Sequence, residues 1–326
     1  MKTRPFGTTG INVSELVLGG GIVGGLLIEQ DDETRRRAVD RALAAGINWI
    51  DTAAAYGQGQ SEEALGWLLA DRTEQMHVST KATINTRDLS DIEGQIEASL
   101  TASLQRLRRE SVTLLQLHNH IAETTRGRAL AADEVLKPGG VLDALERLKA
   151  QGLIEHIGIT ALGEPASVKR VIESGRVASA QVYFNMLNPS AGRAVPSSWP
   201  VFDFTGMLEA CERHGVAAMN IRVFSAGVIA TDARKGREQP LTPGDTVDSE
   251  TVKAHALFDV LGDHLGTRAQ TAIRFALAEP RLACVVFGLA ELAHLEEALG
   301  AEDMGPLRDE DLDAIWAVYA AGVPLA

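Results

Sequence analysis

The chain has 326 residues, 45% hydrophobic and 23% charged, with a formal net charge of −13. This composition lies near the globular average and excludes a largely disordered chain, and the acidic balance argues against nucleic acid or an anionic membrane as partner. The two cysteines, Cys211 and Cys284, exclude a disulfide framework and match no zinc-ligand spacing.

The opening stretch, Met1 to Gly10, carries basic residues with no apolar run behind them, so no secretory leader is expected and the cytoplasm is the expected location. Leu16–Leu18 is a brief apolar strand that ends in glycines. The stretch Leu16 to Ile28 is too short and too interrupted by Gly19, Gly20, Gly21, Gly24 and Gly25 to span a bilayer. Gly19 to Gly24 fits G-x-G-x-x-G by letter. A dinucleotide fingerprint needs its helix to open inside the motif, and here the next helical signal waits until about Asp31. The stretch therefore reads as a loop where a ligand or another backbone comes close.

Glu33–Ala45 has a helical stripe of Val39, Ala42 and Leu43, and Ile47–Thr52 reads as a strand. Ser61–Ala70 is an expected helix with Ser61 as cap and Glu62 and Glu63 in its first turn. Met76–Thr80 is a strand. Asp91–Leu107 is a helix with Ile92, Ile96, Leu100, Leu104 and Leu107 on one face, and Ser90 and Glu93 stand at capping-box spacing. Val112–Leu117 is a strand, followed by a long loop at Ile121–Pro138. Then come helix Val141–Ala150, strand Ile154–Ile159, helix Pro165–Glu173 with its proline at the start, and strand Ala178–Phe184. Helix Gly206–Arg213, strand Val216–Val223, a second long loop at Ser225–Asp248, helix Thr267–Ala278 and strand Ala283–Phe287 complete the order. Eight strands alternating with helices, and no linker between two cores, predict one α/β domain over residues 1–326: a closed (β/α)8 TIM barrel. Its long loops follow the fourth and seventh strands, on the C-terminal face where active sites of such barrels sit.

Three neighbouring strands end in chemistry at that face. Asp51 closes one apolar strand, Lys81 the next and His118 the third, with Tyr56 just beyond the first. A carboxylate at such a position needs a partner. Any one of the four could be a strand-end residue held by structural hydrogen bonds; four together point to a site. Along a strand His118 and His120 would share a face, but no third metal ligand stands at suitable spacing and Lys81 opposes a cation, so no metal is expected and His120 is placed in the loop beyond the strand.

The run N-W-I-D-T-A-A-A-Y-G-Q-G-Q-S-E-E-A-L-G from Asn48 resembles the best-known signature of the aldo-keto reductase superfamily. The likeness extends to R-P-F-G-T-T-G-I-N-V-S from Arg4, G-I-T ending at Thr160, Q-V-Y-F-N from Gln181 and F-G-L-A-E-L-A-H-L-E-E-A-L from Phe287. It implies a barrel that binds a nicotinamide cofactor without a Rossmann domain, and a catalytic tetrad of Asp51, Tyr56, Lys81 and His118. A free tyrosine ionises near pH ~10, and a neighbouring ammonium stabilises the phenolate. By resemblance Lys81 plays that part for Tyr56, Asp51 holds Lys81, His118 donates a hydrogen bond to the substrate oxygen, and Tyr56 moves the proton.

The resemblance also places Thr160 and Gln181 on the nicotinamide amide. Ala161 stands where many members have asparagine, and Ile221 where many have a stacking aromatic; a shifted match puts Phe224 there. Gly288, His294 and Glu297 lie in the segment Gly288–Leu299, where NADP-preferring members usually carry Lys or Arg for the 2′-phosphate. This segment has neither, its one candidate cation is His294, and Glu291, Glu296 and Glu297 make it acidic. That favours NAD over NADP, unless Arg234 or Lys235 in the long loop supplies the charge. The expected partner is a small carbonyl or sugar substrate; nothing in the sequence specifies an oligomeric state. The first expectation is oxidation of an aldose at its anomeric carbon. The alternatives are an NADPH-dependent aldehyde or ketone reductase, or a cofactor-sensing regulatory subunit on the same scaffold. Trp199, Phe202 and Phe204 either line the pocket or pack against the barrel.

Overall fold

The computed structural model describes residues 1–70, 72, 76–240 and 242–323. In chain order the strands are β1 (Thr3–Pro5), β2 (Asn12–Ser14), β3 (Leu16–Gly19), β4 (Trp49–Asp51), β5 (His77–Ala82), β6 (Val112–Leu117), β7 (His120–Ala122), β8 (Ala129–Ala131), β9 (Ile154–Ala161), β10 (Ser179–Tyr183), β11 (Ala217–Ile221) and β12 (Leu282–Gly288). Eight of them close into a barrel in the order β3-β4-β5-β6-β9-β10-β11-β12, every neighbour parallel. These eight fall on the eight apolar runs of the sequence. The helices are α1 (Leu26–Glu29), α2 (Asp32–Ala44), α3 (Gln60–Leu68), α4 (Ile92–Leu107), α5 (Ala132–Leu136), α6 (Val141–Ala150), α7 (Pro165–Glu173), α8 (Met207–Arg213), α9 (Val247–Leu261), α10 (Arg268–Leu277), α11 (Leu292–Met304) and α12 (Asp309–Ala321). Among the described residues, no helix is long and apolar enough to cross a membrane.

The strands are buried on both faces because helices cover the outside and side chains fill the inside. The outer core joins sheet to helices; a smaller inner core contains Phe6, Val13, Val17, Trp49, Leu114, Ala217, Met219 and Cys284. The hairpin of β1 and β2 closes the N-terminal end of the barrel and brings Phe6 against Trp49, ring centroids 4.6 Å apart.

Two expected caps are different residues. Gly59, at φ 98°, caps α3, while Ser61 Oγ lies buried 2.8 Å from Thr52 Oγ1. Asp91 caps α4 by accepting from Gly94 N–H at 2.8 Å; Ser90 instead donates to Asp88. The loop at Ile121–Pro138 is not irregular: it folds as β7, β8 and α5. The second long loop runs into α9 with a capping box at Thr246 and Ser249, a helix the sequence pattern did not show; Leu241 within this loop lies outside the described residues. The glycine-rich stretch after β3 is a close-approach loop. A Cβ on Gly24 would lie 2.6 Å from Leu289 backbone atoms, and Leu26 N–H donates to Leu289 O at 2.9 Å.

Candidate active site

Side chains alternate along a strand, so Trp49 and Asp51 point into the barrel, as do Ser79 and Lys81 on β5. Asp51 is 2% exposed and Lys81 1%. Lys81 Nζ donates to Asp51 Oδ2 at 2.6 Å and to Thr52 O at 2.7 Å. Its third donor reaches Tyr56 OH at 3.3 Å, with the ammonium 4.7 Å from the Tyr56 ring centroid. Burial, the largest single influence on Lys81, opposes its charge. The Asp51 carboxylate and Tyr56 together outweigh it and hold the ammonium above the ordinary lysine value.

Asp51 Oδ1 accepts from Ser79 Oγ at 2.6 Å and from Gln116 Nε2 at 3.1 Å. Neither donor was anticipated. Both were findable by period two, since Ser79 lies two residues before Lys81 and Gln116 two before His118. Gln116 can cross the interior because β9 has a glycine opposite it: a Cβ on Gly158 would stand 2.9 Å from Gln116 Cγ.

Tyr56 enters from the loop after β4, at the start of a turn in which Gly57, Gln58 and Gly59 all have positive φ. His118 follows β6 and meets Tyr56 edge to face, ring centroids 5.9 Å apart. Burial, then the charges of Lys81 and Arg128 and the neighbouring His120, push the His118 imidazole down to about 3, so it is neutral through the physiological range. Its Nδ1 is buried with no partner among the described residues. The adjacent Asn119 is structural: it accepts from Ile84 N–H at 2.7 Å and donates to Ile84 O at 2.9 Å.

Thr160 and Gln181 stand side by side on β9 and β10, both buried, and Thr160 Oγ1 and Gln181 Nε2 each lack a partner among the described residues. An unpaired hydroxyl beside an unpaired amide N–H₂ at the barrel mouth suits a ligand that both donates and accepts, as a carboxamide does. Ile221 ends β11 half-buried, and Phe224 lies half-buried three residues on. Gly288 ends β12 exposed, paired with Gly19. His294 is turned inward on its own chain, where Nδ1 accepts from Ala290 N–H at 3.3 Å. Glu297 accepts from the Thr267 hydroxyl, and Glu296 pairs with Arg41 at 2.7 Å. Lys235 reaches across from the long loop to Glu291 at 2.9 Å. Of the aromatic trio, Trp199 is buried against Tyr319 and donates to Leu187 O, and Phe204 stacks on Tyr183 with the half-buried Phe202 against it.

Residues 15–320 match the aldo/keto reductase family. The chain is 24% identical to the protein named "Uncharacterized oxidoreductase YqkF" from Bacillus subtilis, over 97% of this chain and 95% of that one. It is 26% identical to a D-threo-aldose 1-dehydrogenase from a Pseudomonas species, over 88% and 89%. The holo form of aldo-keto reductase AKR11C1 from Bacillus halodurans superposes with a TM-score of 0.74 at 24% identity, covering 99% of this chain and 98% of that one. The chain therefore belongs to the aldo/keto reductase family, oxidoreductases that act on small carbonyl compounds with a nicotinamide cofactor.

Proposed function

We propose that the protein is an NAD-dependent dehydrogenase that oxidises an aldose at its anomeric carbon through Asp51, Tyr56, Lys81 and His118. The observation that carries the catalytic reading is the buried chain of contacts Asp51–Lys81–Tyr56, which ends on a phenol hydroxyl beside a neutral imidazole. Lys81 stabilises the phenolate of Tyr56, so Tyr56 can take a proton from a hydroxyl during oxidation and return one during reduction. Asp51 fixes the ammonium; Ser79 and Gln116 fix Asp51. His118, uncharged, donates a hydrogen bond to the substrate oxygen and orients it. The nicotinamide, when bound, accepts or supplies the hydride. Thr160 and Gln181 would hold its carboxamide with the hydrogen-bonding atoms they leave unpaired.

The NAD preference is supported by the acidic segment Gly288–Leu299, where Glu291 already occupies the nearby Lys235. The aldose reading draws on the name of the Pseudomonas relative and on the absence of a phosphate clamp from that segment. A second reading, an NADPH-dependent carbonyl reductase, is favoured by the same ion pair: Lys235 is half-exposed and already beside the segment where a 2′-phosphate would lie.

One experiment separates these. Wild type and Tyr56→Phe are titrated with NADH and NADPH by tryptophan fluorescence, and turnover is measured on aldoses with NAD. The variant should bind dinucleotide within about twofold of wild type and lose on the order of a hundredfold or more in kcat. Undiminished turnover would sink the role of Tyr56, and tighter NADPH binding would move the reading to carbonyl reduction.

A further inference from the structure

Each of the 31 glycines but two has a reason that lies in the chain itself. Either its φ is left-handed, or a Cβ in its place would come within 3.0 Å of another atom and force a shift. Gly21 and Gly288 have neither reason among the described residues, and both stand at the mouth of the barrel, just beyond β3 and at the end of β12. Gly288 lies in the segment that the family resemblance gives to the dinucleotide. Gly21 has no such part.

The neighbours of Gly21 in the chain show the contrast. A Cβ on Gly19 would lie 2.9 Å from Phe287 O, and one on Gly20 would lie 2.5 Å from Ser61 Oγ. Gly25 has φ 76°. A Cβ on Gly21 would meet Tyr56 Cζ at 3.8 Å and Tyr56 Cε2 at 3.9 Å, both ordinary contact distances. The backbone there is held in place: Gly20 N–H donates to Asp51 O at 2.8 Å, and Gly21 O accepts from Gly25 N–H at 2.9 Å. A side chain at position 21 therefore suits the fold, and it would lie against the ring carbon that bears the Tyr56 hydroxyl. Two other approaches to that tyrosine are already filled, by the Lys81 ammonium 3.3 Å from the hydroxyl and by the His118 ring edge to face. On the side of Gly21 the half-buried Tyr56 ring faces no side chain from that position.

A missing Cβ that the fold does not require makes room for a ligand to come close. Besides its oxygen, an aldehyde brings one non-hydrogen substituent on its reacting carbon, whereas a ketone, a secondary alcohol or a ring carbon brings two. We infer that the missing side chain at Gly21 admits the second substituent, so that the substrate is a ketone or a secondary carbinol, the ring carbon of a cyclic aldose included, and that Gly21 sets this preference. The inference deepens the proposed function and rests on its placement of Tyr56 at the reacting oxygen.

The test uses pairs that differ in substitution at the reacting carbon. These are butanal against its isomer butan-2-one in reduction, and hexan-1-ol against cyclohexanol in oxidation. Each is run on wild type, Gly21→Ala and Gly21→Val, with NADH affinity and thermal melts measured alongside. Wild type should turn over butan-2-one and cyclohexanol. Gly21→Val should lower kcat/KM for these two, relative to the unbranched member of each pair, on the order of tenfold, and Gly21→Ala should lower it by less. NADH affinity should stay within about twofold in both variants, and Gly21→Ala should melt no lower than wild type, because the backbone there already suits alanine. A wild type confined to the unbranched members, or a ratio that neither variant changes, would overturn the inference and leave the proposed oxidoreductase chemistry standing. A loss confined to NADH affinity would assign Gly21 to the dinucleotide, and a clear fall in the melting temperature of Gly21→Ala would assign it to the fold; either result overturns its part in selection. No turnover of any of the four compounds, with dinucleotide still bound, would overturn the proposed reaction and the inference together.

Discussion

Asp51 and Lys81 are two full charges almost wholly removed from water, and at this depth the desolvation penalty of each is comparable with what the pair returns. Removing one partner therefore costs far more than removing both. Asp51→Asn removes the countercharge and leaves the buried ammonium with neutral acceptors alone, Thr52 O and Tyr56 OH among them. It should lower unfolding stability by about 3–5 kcal/mol, whereas Asp51→Asn combined with Lys81→Met should cost less than Asp51→Asn alone. Urea unfolding of the single and double variants checks this; additive losses would mean that the two groups do not depend on each other. The four residues were legible in the sequence because each ends, or closely follows, an apolar run, where a charged or aromatic polar group is conspicuous. Ser79, Gln116 and Gly158 were not, because they act across strands. The reason for a serine, a glutamine and a gap appears only when β4, β5, β6 and β9 are side by side.

The same distinction holds for whole elements. The strands showed as apolar runs, and α4 showed as a clean stripe. By contrast α9 escaped, because two of its buried positions are Glu250 and Lys253, which break the apolar periodicity. Those residues have a physical consequence. Glu250 is 2% exposed and its Oε2 has no partner among the described residues. Burial, the dominant influence, pushes its carboxyl up to about 7. Asp245 adds to this, while Ser225, Lys253 and Arg222 pull the other way. A carboxyl raised in the folded state stays protonated after its unfolded counterpart has ionised, so stability falls as pH rises from about 4.5 to about 7 and stays reduced above that. Glu250→Gln, which keeps the neutral form at every pH, should raise stability at pH ~8 by on the order of 3 kcal/mol and change it little at pH ~4.5. Thermal melts of both proteins across that interval test the sign. A gain that is the same at both ends would mean that Glu250 acts through packing rather than charge.

At the scale of the molecule the barrel has two ends with different work. The candidate site stands at the C-terminal face, and the N-terminal end is stoppered by the first hairpin. Arg4 fastens the hairpin by donating to Leu277 O at 2.8 Å and Leu282 O at 3.0 Å, while its guanidinium pairs with Glu15 at 2.8 Å. Gly7, at φ 56°, comes so close to β11 that a Cβ would lie 2.5 Å from Gly215 O. Phe6 is the stopper itself, fully buried on Trp49. The two ends are connected. Trp49 Nε1 donates to Ser79 Oγ at 3.0 Å, and Ser79 Oγ donates to Asp51 at 2.6 Å. Phe6→Ala should therefore cost about 3–5 kcal/mol of stability, the range for deleting a buried phenyl ring. It should do so in one cooperative transition, with tryptophan fluorescence and far-ultraviolet circular dichroism coinciding, because Phe6 packs inside the strands that the helices cover. Its effect on kcat/KM should stay below about threefold, since Asp51 keeps Lys81 and Gln116 even if Trp49 shifts and loosens Ser79. A large loss of kcat/KM with little loss of stability would reverse that assignment and make the stopper part of the machinery that holds Asp51 in place.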